Sequence, residues 1–225
     1  MKEALQYDLI RGIYDRSAAY YDRLHNFGTY GLDERGRNIL VRRIVRTGDY
    51  ILDTGGGTGT TGLKAIHRAG TEGKVVILDF SKNMLDIARA KSGAAGLAGR
   101  VEFCEGDMYN IPFPENTFDV VLSTYSTCPL ANPLSAVKEM IRVTKTGGFI
   151  GIAHSTASGN QIARQISSGI EWLLWKIPRL SLGCRNIDMM DGIKELDVEI
   201  TENKIIGFIP FYFRLMILKK TDRSS

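Results

Sequence analysis

The chain predicts an α/β fold built on a doubly wound parallel sheet, and three observations lead there. From residue 50 onward short apolar runs alternate with helical stretches, the pattern of strand–helix–strand units with right-handed crossovers. The first run, Tyr50-Ile51-Leu52, passes into four glycines in five positions, Gly55 to Gly59, and Thr60 to Ala69 then reads as a helix. The second run, Val75-Val76-Ile77-Leu78, ends on Asp79, twenty residues after Gly59. Strand, glycine turn and helix bring backbone N–H groups against a nucleotide-like ligand, and an acidic residue ending the next strand suits a ribose diol.

The other elements follow in order. Residues 2 to 25 read as helical, with Leu5, Leu9, Ile13, Tyr20 and Leu24 at helical spacings. Residues 33 to 47 read as a second helix, apolar at Leu40, Ile44 and Val45 and basic at Arg37, Arg42, Arg43 and Arg46. A helix from Lys82, strands near Val101 and Val120, a helix from Pro133 and a strand near Phe149 continue the alternation. Beyond Ile152 the pattern changes. Ile162, Ile166, Ile170, Leu173, Leu174 and Ile177 mark an amphipathic helix carrying Trp172 and Trp175 and ended by Pro178. A shorter helix is expected from Ile187 to Leu196. Val198–Ile206 and Phe211–Leu218, joined through Gly207 and Pro210, read as a hairpin, and Lys219 to Ser225 as a frayed polar tail.

At 225 residues, 44% of them hydrophobic, the chain fits one domain with a sizeable core. Its expected divisions are an N-terminal helical cap (1–47), a cofactor-binding core (48–154), a helical substrate cap (155–184) and a C-terminal helix with the hairpin (185–220). Cys104, Cys128 and Cys184 form no C-x-x-C pair, which argues against a disulfide framework or structural zinc. No metal ligands are assigned. No apolar run follows Lys2, so no signal peptide is read, and a cytoplasmic protein is expected. The apolar stretch near Ile205 to Phe213 is broken and too short to span a bilayer. A net charge of +4 falls short of a nucleic-acid signature.

Two cofactors compete for the glycine turn. Gly57-Thr58-Gly59-Thr60-Thr61-Gly62 satisfies the dinucleotide pattern. The turn also reads Asp53-x-Gly55-x-Gly57-x-Gly59, with a carboxylate on the strand before the glycines. That carboxylate would repel a pyrophosphate and suit a cationic or amine-bearing ligand, or the loop's own amides. S-adenosylmethionine, with a sulfonium, an ammonium and no phosphate, is favoured over NAD.

Residues 51 to 152 resemble the class I S-adenosylmethionine-dependent methyltransferases, and within them the ubiquinone/menaquinone-type C-methyltransferases. Ile51 to Gly59 is similar to the first motif of that family and Leu78 to Arg89 to the second. Gly106-Asp107-Met108 with Ile111-Pro112-Phe113 is similar to the third, and Thr117 to Val121 to the fourth-strand motif. Glu139 to Val143 and Gly147-Gly148 resemble the fifth helix and its following turn. Thr146 replaces the family's usual proline, and Thr54 and Gly56 replace an aliphatic and a small residue. The resemblance implies a Rossmann-like seven-stranded sheet whose hairpin supplies the antiparallel C-terminal strand. It also implies a cofactor site. Gly55, Gly57 and Gly59 approach the cofactor, Asp53 organises its methionine end and Asp79 binds the ribose. Phe80 and Met84 flank the adenosine, Asp107 reads the adenine amine and Met108 stacks on the ring edge. Tyr20-Tyr21-Asp22 resembles the element whose aromatic closes over the cofactor.

Ser123 to Thr127 follow the fourth strand, where hydroxyls should face the methyl donor. His154, at the end of the fifth strand, is a candidate general base, although a strand-end histidine is more often a hydrogen-bonded structural residue; Tyr21 is the second catalytic candidate. The chain lacks the Asp/Asn/Ser-Pro-Pro-aromatic tetrad of base-amine methylation, and Cys128-Pro129 reverses the order of a cytosine nucleophile, so nucleic acid is not the expected acceptor. The expected acceptor is a small or lipid-like molecule, a quinone-like ring before a phospholipid amine or a thiol or metalloid. An NAD-dependent oxidoreductase and a catalytically silent cofactor-binding protein are the readings from other classes. Arg164, Lys176 and Arg179 beside Trp172 and Trp175 suit a peripheral membrane contact or a solvated face. A monomer or homodimer is expected.

Overall fold

The computed structural model describes residues 7–23, 29–158, 160–175 and 184–222. Seven strands form one sheet: β1 (Tyr50–Thr54), β2 (Lys74–Asp79), β3 (Val101–Glu105), β4 (Phe118–Thr124), β5 (Thr144–Ser155), β6 (Val198–Phe208) and β7 (Phe211–Lys220). Their order is β3-β2-β1-β4-β5-β7-β6. The first five are parallel; β7 runs antiparallel to β5 and to β6. The expected sheet with its antiparallel C-terminal strand is the observed one.

The interior strands are short continuous apolar runs because both sheet faces are covered. Ile51, Val75, Ile77, Val120, Leu122 and Ile217 face one core, with helices α2 (Leu32–Ile44), α3 (Thr60–Ala69) and α4 (Lys82–Ala94). Their neighbours Leu52, Val76, Leu78, Val121, Met216 and Leu218 face the other, with α5 (Pro133–Val143) and part of the closing segment. Period-two alternation thus assigns every residue to a layer. Strand order reverses between β1 and β4, which opens a crevice at their carboxyl ends.

Several boundaries differ from expectation. The N-terminal helix runs as α1 (Tyr7–Ser17) and then tightens to a 3-10 turn at Ala18–Tyr20; residues 2–6 and 24–25 lie outside the described residues. Ser17 Oγ donates to Tyr14 O at 3.2 Å, a side-chain bond that competes with continued helix. α2 stops at Ile44 because Val45 turns extended. The amphipathic helix α6 spans Gln161–Trp175, while Ile177 and Pro178 lie outside the described residues. The short helix α7 covers only Met190–Lys194, since Ile187 N–H is already given to Ser155 O. Lys219 and Lys220, assigned to the tail, close β7, and Lys220 Nζ donates to Asn116 and to the carbonyls of Arg142 and Thr144.

Phe118 anchors the second core. It is fully buried, with Tyr50 and Phe113 rings at 4.7 and 5.1 Å. Phe118→Ala should cost about 3–5 kcal/mol, read as a lowered denaturant midpoint; a loss under about 1 kcal/mol would show that this aromatic cluster is not a keystone.

Candidate functional site

β1 delivers the chain into a turn whose Gly55, Gly57 and Gly59 have φ of 64°, 54° and 79°, a region that costs L side chains about 1–2 kcal/mol each. The glycines have separate jobs. A Cβ on Gly55 would lie 2.4 Å from Ser126 Cβ, so this glycine lets the turn pack against the loop after β4. A Cβ on Gly57 would enter open space, with Asp79 Oδ2 at 4.0 Å as its nearest neighbour. Gly59 is the N-cap of α3.

Two buried carboxylates hold the turn. Asp53 lies beneath it: Oδ2 accepts Gly62 N–H at 2.7 Å, while Oδ1 has no hydrogen-bond partner among the described residues. Burial pushes its pKa up to about 7, against the bond from Gly62 and the charge of Arg37. Asp79, at the end of β2, accepts Gly57 N–H at 2.8 Å and Ser81 N–H at 2.9 Å. Burial pushes it up to about 6 in spite of those bonds. Asp79 does not cap α4; Ser81 does, accepting Met84 N–H at 3.2 Å.

Above the turn and the ends of β2 and β4 lies a cavity of about 690 Å³, open mouth included. Gly55, Gly57 and Asp79 form its floor and Phe80, Met84, Asp107 and Met108 one side. Tyr21 lies over it with Ile10 and Tyr14. The Tyr14 ring stands 5.9 Å from Tyr21 and 6.0 Å, edge-on, from Phe80. Leu78, Gly106, Thr124, Tyr125, Ser126, Pro129 and Leu130 complete the wall, and of these Leu130 alone lies outside every stretch that the sequence singles out.

Five candidate residues lie outside this wall. Asp53 and Gly59 support the turn from behind. Tyr20 is half exposed because the 3-10 turn swings it off the face that carries Tyr14. Ser123 is fully buried and shares a 2.7 Å hydrogen bond with Ser126 Oγ. His154 has the strand parity of Ile150 and Ile152 and is buried with them. Its Nδ1–H donates to Ser155 O at 2.9 Å, and burial lowers its pKa to about 4, so the ring is neutral. The hydroxyls after β4 are also committed within the protein. Ser126 Oγ donates to Thr54 O, Thr124 Oγ1 bonds Thr61 Oγ1 and Tyr125 OH donates to Asp33 O. None of the described residues from 155 to 184 is in the wall.

Polar ties fix the N-terminal roof. Asp22 accepts Thr58 Oγ1 at 2.6 Å and Thr60 Oγ1 at 3.2 Å and pairs with Lys91. Partial burial pushes the Asp22 carboxyl up, but the bonds from Lys91, Thr58 and Thr60 hold it below the usual range. Asp15 accepts Ser81 Oγ at 2.5 Å, and Arg11 pairs with Glu105 at 2.7 Å. Nothing in the sequence signals these contacts, which span 36 residues or more.

Comparison with known proteins agrees with this geometry. Residues 51–148 match the family model described as a methyltransferase domain. Over this segment, 98 of the 225 residues, the chain is similar to methyltransferase domains. Two relatives bear the name ubiquinone/menaquinone biosynthesis C-methyltransferase UbiE. That of Shewanella sediminis is 28% identical over 160 residues, 71% of this chain and 64% of that protein. That of Coxiella burnetii (strain RSA 493) is 32% identical over 146 residues, 64% and 58% of the two chains. The match thus spans less than two thirds of either relative's length. A solved structure, a putative S-adenosyl-L-methionine-dependent methyltransferase from Methanococcus maripaludis, shares the fold. It is 24% identical, covers 100% of this chain and 99% of its own, and has a TM-score of 0.64. The cofactor of this family and fold is S-adenosylmethionine. The residues at the turn and the cavity fit it: open space at Gly57, a carboxylate at the end of β2 and a cavity of small-molecule size.

The two glycines are separable by experiment. Gly57→Ala should lower ligand-free stability by the strained φ alone, about 1–2 kcal/mol. Gly55→Ala adds the Ser126 clash and should cost clearly more, with part of the loss recovered by Ser126→Gly. Equal losses in denaturant unfolding would contradict the division of labour.

Proposed function

We propose that this protein is an S-adenosylmethionine-dependent methyltransferase acting on a small or lipophilic acceptor, with a quinone-like ring favoured. The observation that carries the reading is the cavity at the β1–β4 switch point, where Gly57 and Asp79 present an open backbone and a carboxylate to one ligand. When bound, the cofactor supplies a methyl group already activated by its sulfonium. Asp79 accepts the ribose hydroxyls on lone pairs not used by Gly57 and Ser81. Phe80, Met84 and Met108 enclose the adenine, and Asp107 takes its amine. Gly55 and Gly57 let the methionine portion approach the backbone, and buried Asp53 stabilises that end from below.

The chain's part in catalysis is alignment and exclusion of water. The apolar and aromatic wall of Ile10, Tyr14, Tyr21, Pro129 and Leu130 suits a flat, lipophilic acceptor. Tyr21 is the polar side chain we place nearest the transferring methyl. We give His154 no proton transfer, because it lies outside the wall. A phospholipid amine is less favoured: Asp79 and Asp107, the carboxylates of the wall, are assigned to the cofactor's ribose and adenine, which leaves neither for a cationic headgroup. A thiol or metalloid is less favoured because Cys128 is fully buried outside the wall. A cytoplasmic location belongs to this reading, supported by three free cysteines. Among the described residues no helix is long and apolar enough to cross a membrane.

Calorimetric titration with S-adenosylmethionine, S-adenosylhomocysteine and NADH tests the cofactor. Micromolar binding of the first two and none of NADH is expected; NADH alone binding would overturn the reading. Asp79→Asn should weaken S-adenosylmethionine by about tenfold or more, roughly 1.4 kcal/mol. Ribose hydroxyls donate to the ionised carboxylate, and Asp79 titrates at about 6. Affinity should therefore rise with pH through that value, roughly tenfold per unit below it, and level off above. The asparagine variant should lose this dependence, and unchanged affinity would refute the ribose assignment.

A further inference from the structure

The fold brings two of the three cysteines together, and the functional reading uses neither. Cys128 follows β4 and is fully buried, whereas Cys184, in the segment before α7, is half-buried. Backbone bonds on both sides fix their approach. Ser155, the last residue of β5, donates its N–H to Cys128 Sγ at 3.2 Å and accepts the Ile187 N–H at 3.2 Å. Arg185, next to Cys184, donates to the carbonyl of Leu130, two residues after Cys128, at 2.6 Å. Held between these ties, the two cysteine side chains are hydrogen-bonded to each other.

That bond makes the two sulfurs unequal. The bond from Cys184, helped by the Ser155 amide, holds the Cys128 thiol below its usual range in spite of burial. The same bond, with burial, pushes Cys184 up. A buried thiol in apolar surroundings is inert; a pair with one sulfur poised as thiolate and the other within reach of solvent is not. The pair also borders the cavity. The Tyr14 hydroxyl is bonded to Cys184, as Leu130 O is to Arg185, and both Tyr14 and Leu130 line the wall.

We propose that Cys128 and Cys184 are a redox modification site, a dithiol that a hydroperoxide converts to a reversible disulfide, and that closing the bridge alters the cavity wall. Cys184 is the sulfur a peroxide reaches. It attacks one peroxide oxygen, the O–O bond breaks, and the departing hydroxide leaves as water with the thiol proton, so that Cys184 becomes a sulfenic acid. The Cys128 sulfur then attacks Cys184, the S–O bond breaks, and the hydroxyl leaves as a second water with the Cys128 proton. The two thiols lose two electrons and the peroxide gains them. Thiol exchange with a small dithiol reverses the step. The bridge draws Cys184 toward Cys128 and off the Tyr14 hydroxyl, which loosens the roof at that point.

The test treats the full reduced chain with hydrogen peroxide, then counts thiols and maps the cysteines by mass spectrometry without reduction. Titratable thiols should fall from three to one, a single peptide should join Cys128 to Cys184 within one chain, and dithiothreitol should restore all three. Cys104→Ser should form the same bridge and Cys184→Ser should form none. Hydrogen exchange over residues 10–21 should rise about threefold or more in the oxidised chain. A bridge through Cys104 or between chains, or sulfinic acid at Cys184 with no joined peptide, overturns the site. Identical exchange over residues 10–21 in the two forms overturns its coupling to the wall. No measurement here uses S-adenosylmethionine, so failure of this proposal and failure of the functional reading are distinguishable.

Discussion

The turn between β1 and α3 is held by two carboxylates taken out of water, and the site depends on that arrangement. Burying a carboxylate is costly unless it is hydrogen-bonded. Asp53 and Asp79 meet the condition with backbone N–H groups that no other element is placed to satisfy: Gly62 for the first, Gly57 and Ser81 for the second. The cost persists as raised pKa values at both groups. In return the backbone of Gly55 to Gly59 is fixed without side chains in the way. Asp79 also couples the glycine turn, which donates to it from Gly57 22 residues earlier, to the start of α4 at Ser81, so the two sides of the cavity are set by one group.

The roof follows the same economy of means. Its inner surface is aromatic and aliphatic, Ile10, Tyr14 and Tyr21 against Phe80 and Met84. Its outer contacts are polar, Asp15 to the α4 cap and Asp22 to Thr58, Thr60 and Lys91. Apolar closure excludes water from the site, and the polar ties set where the closing segment lies. Because Asp22 grips residues of the glycine turn itself, a disturbance of that turn is transmitted to the roof.

Much of this was legible in the sequence, for physical reasons that differ by element. Val75 to Leu78 is readable as a strand because a residue pair buried on both faces leaves no polar position. Thr60–Ala69 is readable because it lies between the glycine turn that ends at Gly59 and Gly70, with Gly62 its one interior glycine. Asp79 is readable from its place after an apolar run. Tyr20 and Tyr21 were not separable, since a 3-10 turn changes which neighbour faces inward and no residue there announces it. Thr124 to Ser126 were placed correctly at the strand end, but their hydroxyls are spent on Thr61, Asp33 and Thr54, partners distant in sequence. His154 shows the limit of position alone: the end of a strand is near the crevice, and strand parity turned the ring away from it.

The most direct test of the central claim is a crystal structure of the chain with S-adenosylhomocysteine. Both ribose hydroxyls should lie within hydrogen-bond distance of the Asp79 carboxylate, the adenine between Phe80 and Met108, and the methionine portion over Gly55 and Gly57. A ligand seated elsewhere, or one whose ribose leaves Asp79 bonded only to Gly57 and Ser81, would contradict it.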